Sequence, residues 1–228
     1  MNVEENFVLI SGLLCEATRA RMLWNLLDGR AYTATELAVA ADISATSASN
    51  HLAKLLEADL VKVEIQGRHR YYSFAAPEIA YAVEALANLV GKRSLKKAEK
   101  TLSGVKYCRT CYDHLAGFVG VRIADALEEK SFIRKTEKAY DVTEKGWEWF
   151  AELGIFETEL TNNRRPLTRQ CLDWSERRPH IAGQLGAAFL DKILQKEWFK
   201  KIQFSRELEV SAKGRKELFE ILGIDLRS

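Results

Sequence analysis

Residues 44–57 read Ser44-Ala45-Thr46-Ser47-Ala48-Ser49-Asn50-His51-Leu52-Ala53-Lys54-Leu55-Leu56-Glu57. Ala58-Asp59 follows, and then Leu60-Val61-Lys62-Val63-Glu64-Ile65-Gln66-Gly67-Arg68-His69-Arg70-Tyr71-Tyr72-Ser73-Phe74. Ser44 is a good N-cap, and Leu52, Leu55 and Leu56 are the only large apolar residues in the segment it opens. A helix over roughly Ala45 to Glu57 therefore turns those leucines to the core. Its outward face is left with Ala45, Thr46, Ser47, Ser49, Asn50 and Lys54. The next two segments alternate apolar and polar residues about Gln66-Gly67-Arg68-His69, which makes a β-hairpin with a basic tip.

Working outward, Phe7, Ile10, Leu13 and Leu14 recur at helical spacing, and so do Met22, Leu23, Leu26 and Leu27. Asp28-Gly29 stops the second of these helices. Thr33 and Thr35 can cap a short third helix, Glu36 to Ala41, and the turn at Asp42-Ile43 leads back to Ser44. Helices, a tight turn, another helix and a hairpin make a winged helix-turn-helix. Small hydroxyls with an amide and an amine suit a major groove, because the backbone can come close, Asn can bond adenine and Ser, Thr and Lys reach bases or phosphates. On this reading Ser44, Thr46, Ser47, Ser49, Asn50 and Lys54 meet DNA from the helix. Arg68, His69 and Arg70 meet phosphates or a minor groove from the hairpin. The plainer alternative is a solvent-facing polar helix; the ordered arrangement around it favours DNA.

The stretches Leu14-Cys15-Glu16-Ala17-Thr18-Arg19, Glu36-Leu37-Ala38, Ser44 to Leu52 and Gly67-Arg68-His69-Arg70-Tyr71-Tyr72 resemble the ArsR-type family of bacterial winged-helix repressors. The resemblance covers residues 7–90. It implies a homodimer formed by the first helix and the helix after the wing, which would start near Pro77 and include Ile79, Val83, Leu86 and Val90. Two-fold symmetry then implies a palindromic operator on double-stranded DNA. Two departures stand out. The family's thiol-based metal sensors carry cysteines in the Glu36–Asp42 helix, and this one has none. Its zinc and nickel sensors carry His on the dimer helix, and residues 77–103 contain none. Cys15 reads as core packing.

The chain has 228 residues, 47% hydrophobic and 29% charged, which excludes a disordered chain and leaves room for two small domains. The formal net charge of +2 names no partner by itself. Residues 1–95 hold nine Lys+Arg against eleven Asp+Glu, so a DNA reader there must gather its basic groups on one face. No apolar run reaches the roughly 18–20 residues a membrane span needs, and the N-terminus lacks a signal-peptide pattern. The expected location is cytoplasmic, with no membrane partner. Four cysteines in that setting are core residues, metal ligands or redox thiols rather than a disulfide framework.

Beyond a boundary near 91–105 the chain repeats itself. His114-Leu115-Ala116-Gly117-Phe118-Val119-Gly120-Val121 matches His180-Ile181-Ala182-Gly183-Gln184-Leu185-Gly186-Ala187, and Val142-Thr143-Glu144-Lys145-Gly146 matches Val210-Ser211-Ala212-Lys213-Gly214. Each copy reads as helix, hairpin, helix. The expected architecture is mainly α with small β-hairpins. It comprises a winged helix-turn-helix domain at 1–95 and a C-terminal domain at 104–228, made of two winged-helix-like repeats, 104–160 and 166–228. The lead helices are expected to open near His114 and His180 and to cross at their paired glycines, bringing the two histidines together.

That crossing would gather Cys108, Cys111, His114, Cys171 and His180, a set suited to Zn²⁺ or another thiophilic metal. The same cysteines can instead be a redox pair or simple packing. Aromatic residues such as Tyr107, Trp149, Trp174 and Trp198, with Arg109 and Arg169, offer instead a pocket for a small organic effector. No cofactor is required by the sequence. The favoured function is a homodimeric DNA-binding transcriptional repressor whose repeated domain senses a metal, oxidant or small-molecule effector. The alternative is an enzyme or protein-docking module tethered to DNA. No P-loop, G-x-S-x-G, G-x-G-x-x-G or H-E-x-x-H motif supports catalysis, so no catalytic residue is assigned.

Overall fold

Glu16 and Arg19 show how the first helices are joined. Glu16 is the N-cap of α2 (Ala17–Leu26), and its carboxylate accepts from the backbone N–H groups of Thr18 and Arg19 at 3.0 and 2.9 Å. Those bonds hold its pKa down to about 2. Arg19, one turn into α2, reaches back with Nε to Leu13 O at 2.8 Å and with Nη2 to Gly12 O at 2.9 Å. It thereby satisfies carbonyls left open at the end of α1 (Val3–Leu14). The computed structural model describes residues 2–89, 103–160, 165–203 and 205–226, and divides into two compact units after Leu89. The expected boundary at 91–105 falls largely outside the described residues, as does Val90.

In the first unit α2 ends at Leu26 with Leu27 as its C-cap, and Gly29 in the turn beyond takes a φ of 76°, which is open to glycine. β1 (Tyr32–Thr33) leads into α3 (Ala34–Ala41), where Thr33 and Glu36 form a reciprocal capping box. Asp42 in the left-handed region makes the turn to α4 (Ala45–Glu57), with Ser44 as N-cap. β2 (Val61–Gln66) and β3 (His69–Phe74) pair antiparallel from Val61↔Phe74 to Gln66↔His69, and β1 adds a third strand beside β3. α5 runs from Pro77 to Asn88. Met22, Leu23, Leu26, Leu37, Leu52 and Leu55 are all but fully buried and form the core. The α1 stripe behaves differently: Leu13 is buried, but Phe7 is 70% exposed and Val8 64%. Cys15, expected in the core, is exposed, because it caps the end of α1 at the turn into α2.

The second unit opens with a 3-10 turn (Gly104–Lys106) and a hairpin of β4 (Arg109–Cys111) with β5 (His114–Ala116). Next come α6 (Gly117–Glu129), a hairpin of β6 (Ile133–Lys135) with β7 (Tyr140–Val142), and α7 (Glu144–Glu152). The same order of elements follows: β8 (Arg169–Leu172) with β9 (Pro179–Ala182), α8 (Gly183–Gln195), β10 (Phe199–Lys201) with β11 (Leu208–Val210), and α9 (Ala212–Leu222). Thr143 and Ser211 cap α7 and α9. The core includes Leu127, Phe150, Leu185, Ile193 and Leu218, with Phe132 stacked on Trp149 at 5.1 Å.

The second unit departs from the sequence expectation in two ways. His114 and His180 lie on strands rather than opening helices, and α6 and α8 begin three residues later at Gly117 and Gly183. A short apolar run carries no period long enough to separate strand from helix. The glycines also do not mark a helix crossing. A Cβ at Gly120 would stand 2.8 Å from the Leu115 carbonyl oxygen, and one at Gly186 would stand 2.6 Å from that of Ile181. Their need is closeness to the preceding strand, while α6 packs on β9 and α8 on β5.

Candidate nucleic-acid interface and metal centre

The outward face of α4 is built from small polar groups. Thr46, Ser49, Asn50 and Lys54 are exposed and Ser47 is half-buried, while Ala48, Leu52 and Leu55 point inward. Ser44 Oγ accepts from the Ser47 N–H at 3.2 Å, and Ser49 Oγ donates to Ala45 O at 3.0 Å. Ser44 thus serves first as a cap. Thr46, Asn50 and Lys54 offer the reach. His51 belongs to the frame instead, with Nδ1 3.6 Å from Glu16 and 3.5 Å from Arg19 Nη1.

Arg68, His69 and Arg70 are exposed at the hairpin tip, where Gly67 (φ 60°) takes the first of two turn positions. An open groove of about 420 Å³ lies between this tip and the helices, lined by Thr35, Ser49, Ala53 and Arg68 among others. Thr35 joins this surface although its sequence suggested only a cap.

In the second unit, cross-strand pairing creates the other site. Cys111 stands opposite His114 across β4–β5, and Cys171 stands opposite His180 across β8–β9. β5 and β9 are neighbours, so the two pairs face each other. The sulfurs of Cys111 and Cys171 are 3.8 Å apart, and the imidazole rings of His114 and His180 have centroids 5.0 Å apart. The four ligand atoms all lie within 4.8 Å of one another. Cys108 does not join them. It is fully buried in the hydrophobic core, and burial pushes its thiol far up. Cys108 lies in the bend that precedes β4, outside the cross-strand Cys–His pairs.

Two aspartates hold the cluster. Asp113 receives Arg165 through both terminal nitrogens, at 2.6 and 3.0 Å, and lies 3.1 Å from His114 Nδ1. Burial alone would raise its pKa; His114 and Arg165 outweigh that and lower it. Asp173 is fully buried and accepts from Arg109 Nη2 at 2.8 Å, the Gly117 N–H at 2.7 Å, and the Ser175 and Glu176 N–H groups. Against the upward push of burial, Arg109 and its other partners hold the carboxyl well below the usual range. Burial would lower the His114 pKa, but the Cys111 sulfur and Asp113 raise it to about 9. At His180 burial prevails and the pKa falls. Neither ring nitrogen of His180 makes a hydrogen bond, although Nδ1 lies 3.6 Å from Asp173.

The aromatic residues read as pocket walls are mostly core. Trp149 and Trp198 are buried in it, and Trp174 lies 4.5 Å from the Arg109 guanidinium, which Asp173 already occupies.

Residues 14–64 match a family model described as a helix-turn-helix domain. Over 212 residues the chain is 43% identical to the uncharacterized HTH-type transcriptional regulator YdfF of Bacillus subtilis (strain 168). That match takes in 92% of this chain and 94% of the relative. Among solved structures, HlyU from Vibrio cholerae N16961 is 24% identical with a TM-score of 0.36, covering 40% of this chain and 98% of that one. The homodimeric winged helix-turn-helix DNA-binding domain of Mb0332 from Mycobacterium bovis is 19% identical with a TM-score of 0.38, covering 43% and 91%.

Proposed function

Since the chain belongs to the same family as the HTH-type transcriptional regulator YdfF, we propose that it is an ArsR-type homodimeric repressor reading a palindromic operator through α4 and the β2–β3 wing. The observation that carries this reading is the exposed face of Thr46, Ser49, Asn50 and Lys54 beside the basic tip Arg68-His69-Arg70. The unit's acidic balance makes that gathering of basic groups necessary. Dimerisation is supported by the apolar residues left on the surface of α1 and α5. Val3, Phe7 and Val8 on α1, Leu86 on α5 and Leu89 just past its end are exposed, and burying them against a second copy would remove them from water.

The proposed division is a DNA-binding and dimerisation domain at 1–95, followed by a domain at 104–228 that arose as two repeats, 104–160 and 166–228. Its two runs of hairpin, helix, hairpin and helix support the repeat. We assign it effector sensing, which alters repression through different affinity for the two DNA-binding states. No catalytic role is proposed. Action on DNA in the cytoplasm is part of the same reading; separately, among the described residues no helix is long and apolar enough to cross a membrane.

Two variants test the interface on a duplex enriched from a random pool. Asn50→Ala is expected to cost about 1–3 kcal/mol at one position of each half-site and to relax base preference there. Arg68→Ala is expected to weaken binding to all sequences alike and to lower the slope of log affinity against log salt by about one. Gel-shift titrations at several salt concentrations read both. Unchanged binding by both variants would remove α4 and the wing from the interface.

A further inference from the structure

We propose that Cys111, His114, Cys171 and His180 form a closed, four-coordinate site for a single Zn²⁺ ion in the second unit. Two thiolates about 2.3 Å from one ion at a tetrahedral angle stand roughly 3.8 Å apart. The Cys111 and Cys171 sulfurs are 3.8 Å apart. A disulfide would need about 2.05 Å. The full set fits within 4.8 Å, so a modest contraction closes it on one ion.

Burial points the same way. His180 is 1% exposed and neither of its ring nitrogens makes a hydrogen bond, a costly state for a buried imidazole unless something is to be bound there. His114 is fully buried as well. Asp113 lies 3.1 Å from His114 Nδ1 and Asp173 lies 3.6 Å from His180 Nδ1. At His114 the carboxylate behind Nδ1 fixes the tautomer and leaves Nε2 as the ligand, the usual support of a metal-bound histidine. At His180 the separation is longer than a hydrogen bond, and Asp173 contributes its charge alone.

Charge and ligand number select the ion. Two thiolates neutralise a divalent cation in a site where an unbalanced charge would be expensive. Two sulfurs and two nitrogens with no open position suit structural Zn²⁺ rather than a catalytic metal. Each hairpin supplies one Cys and one His, so the ion would tie the two halves of the unit together, and neither half offers a complete site. Cys108 and Cys15 take no part.

Metal content and cobalt substitution on the full-length chain test this without DNA, so the outcome is separable from that of the DNA-binding reading. Protein purified anaerobically without chelator is expected to carry one equivalent of zinc by plasma mass spectrometry. After removal of zinc, Co²⁺ is expected to give the intense visible bands of a tetrahedral site and a thiolate charge-transfer band in the near ultraviolet. Cys111→Ser and Cys171→Ser should each abolish stoichiometric zinc, while Cys108→Ser and Cys15→Ser should retain it. A wild-type protein that is folded by circular dichroism yet takes up neither zinc nor cobalt overturns the proposal. So does a cobalt spectrum without thiolate charge transfer, which decides the matter even if a cysteine variant fails to fold. A loss of two mass units on mild oxidation of zinc-free protein that no added zinc prevents would also overturn it, in favour of a Cys111–Cys171 thiol switch.

Discussion

Asp173→Asn is expected to destabilise the second unit by about 3–5 kcal/mol, the cost of breaking a buried ion pair from one side. Asp173 and Arg109 are both fully buried, and the carboxylate also accepts from the N–H groups of Gly117, Ser175 and Glu176. Asparagine keeps the shape but removes the charge, leaving the Arg109 guanidinium unbalanced and turning a donor amide toward groups that also donate. Urea unfolding followed by tryptophan fluorescence reads the loss. Arg178→Ala is the comparison: its pair with Asp125 lies at a side chain 57% exposed, and its removal should cost less than about 1 kcal/mol. A loss below about 1 kcal/mol in Asp173→Asn would mean that the buried pair does not hold the two hairpins in place.

Gly146→Ala is expected to lower stability by at least about 3 kcal/mol, although alanine is the better helix former by about 1 kcal/mol. A Cβ at this third position of α7 would stand 1.9 Å from the Phe132 carbonyl oxygen. That oxygen cannot withdraw cheaply, because it accepts from the Thr143 N–H at 3.1 Å and from Thr143 Oγ1 at 3.2 Å. Gly214→Ala repeats the test in the second half, with the Trp198 carbonyl oxygen at 2.1 Å. Thermal unfolding of both variants should show the deficit. Stability equal to wild type in either would contradict the close approach of helix and strand.

These glycines also mark where the sequence was readable and where it was not. The bounds of α4 were legible because Ser44 caps it and Leu52 and Leu55 fall on one face. The wing was legible from its alternation about Gly67. β1 was not, since two residues carry no period and Tyr32 and Thr33 become a strand only by pairing with Tyr72 and Tyr71. In the second unit the likeness of residues 114–121 to 180–187 points to His114 and His180 lying together, as they do, but not through a helix crossing at the paired glycines. Gly120 and Gly186 are small because a carbonyl, not a helix, lies against them. Cys108 shares the C-x-x-C spacing of Cys111, but spacing along a chain does not tell that Cys108 falls in the bend before β4 and packs into the hydrophobic core.

The most direct test of the central claim is enrichment of duplexes from a random pool by the full-length protein, followed by sequencing. A homodimer reading DNA through α4 and the wing predicts an inverted repeat whose half-sites are centred about 10 base pairs, or a multiple of that, apart. It also predicts loss of preference at one base of each half-site in Asn50→Ala. Enrichment of no common sequence, or of the same sequence by a chain in which Thr46, Ser49, Asn50 and Arg68 are all alanine, would contradict it.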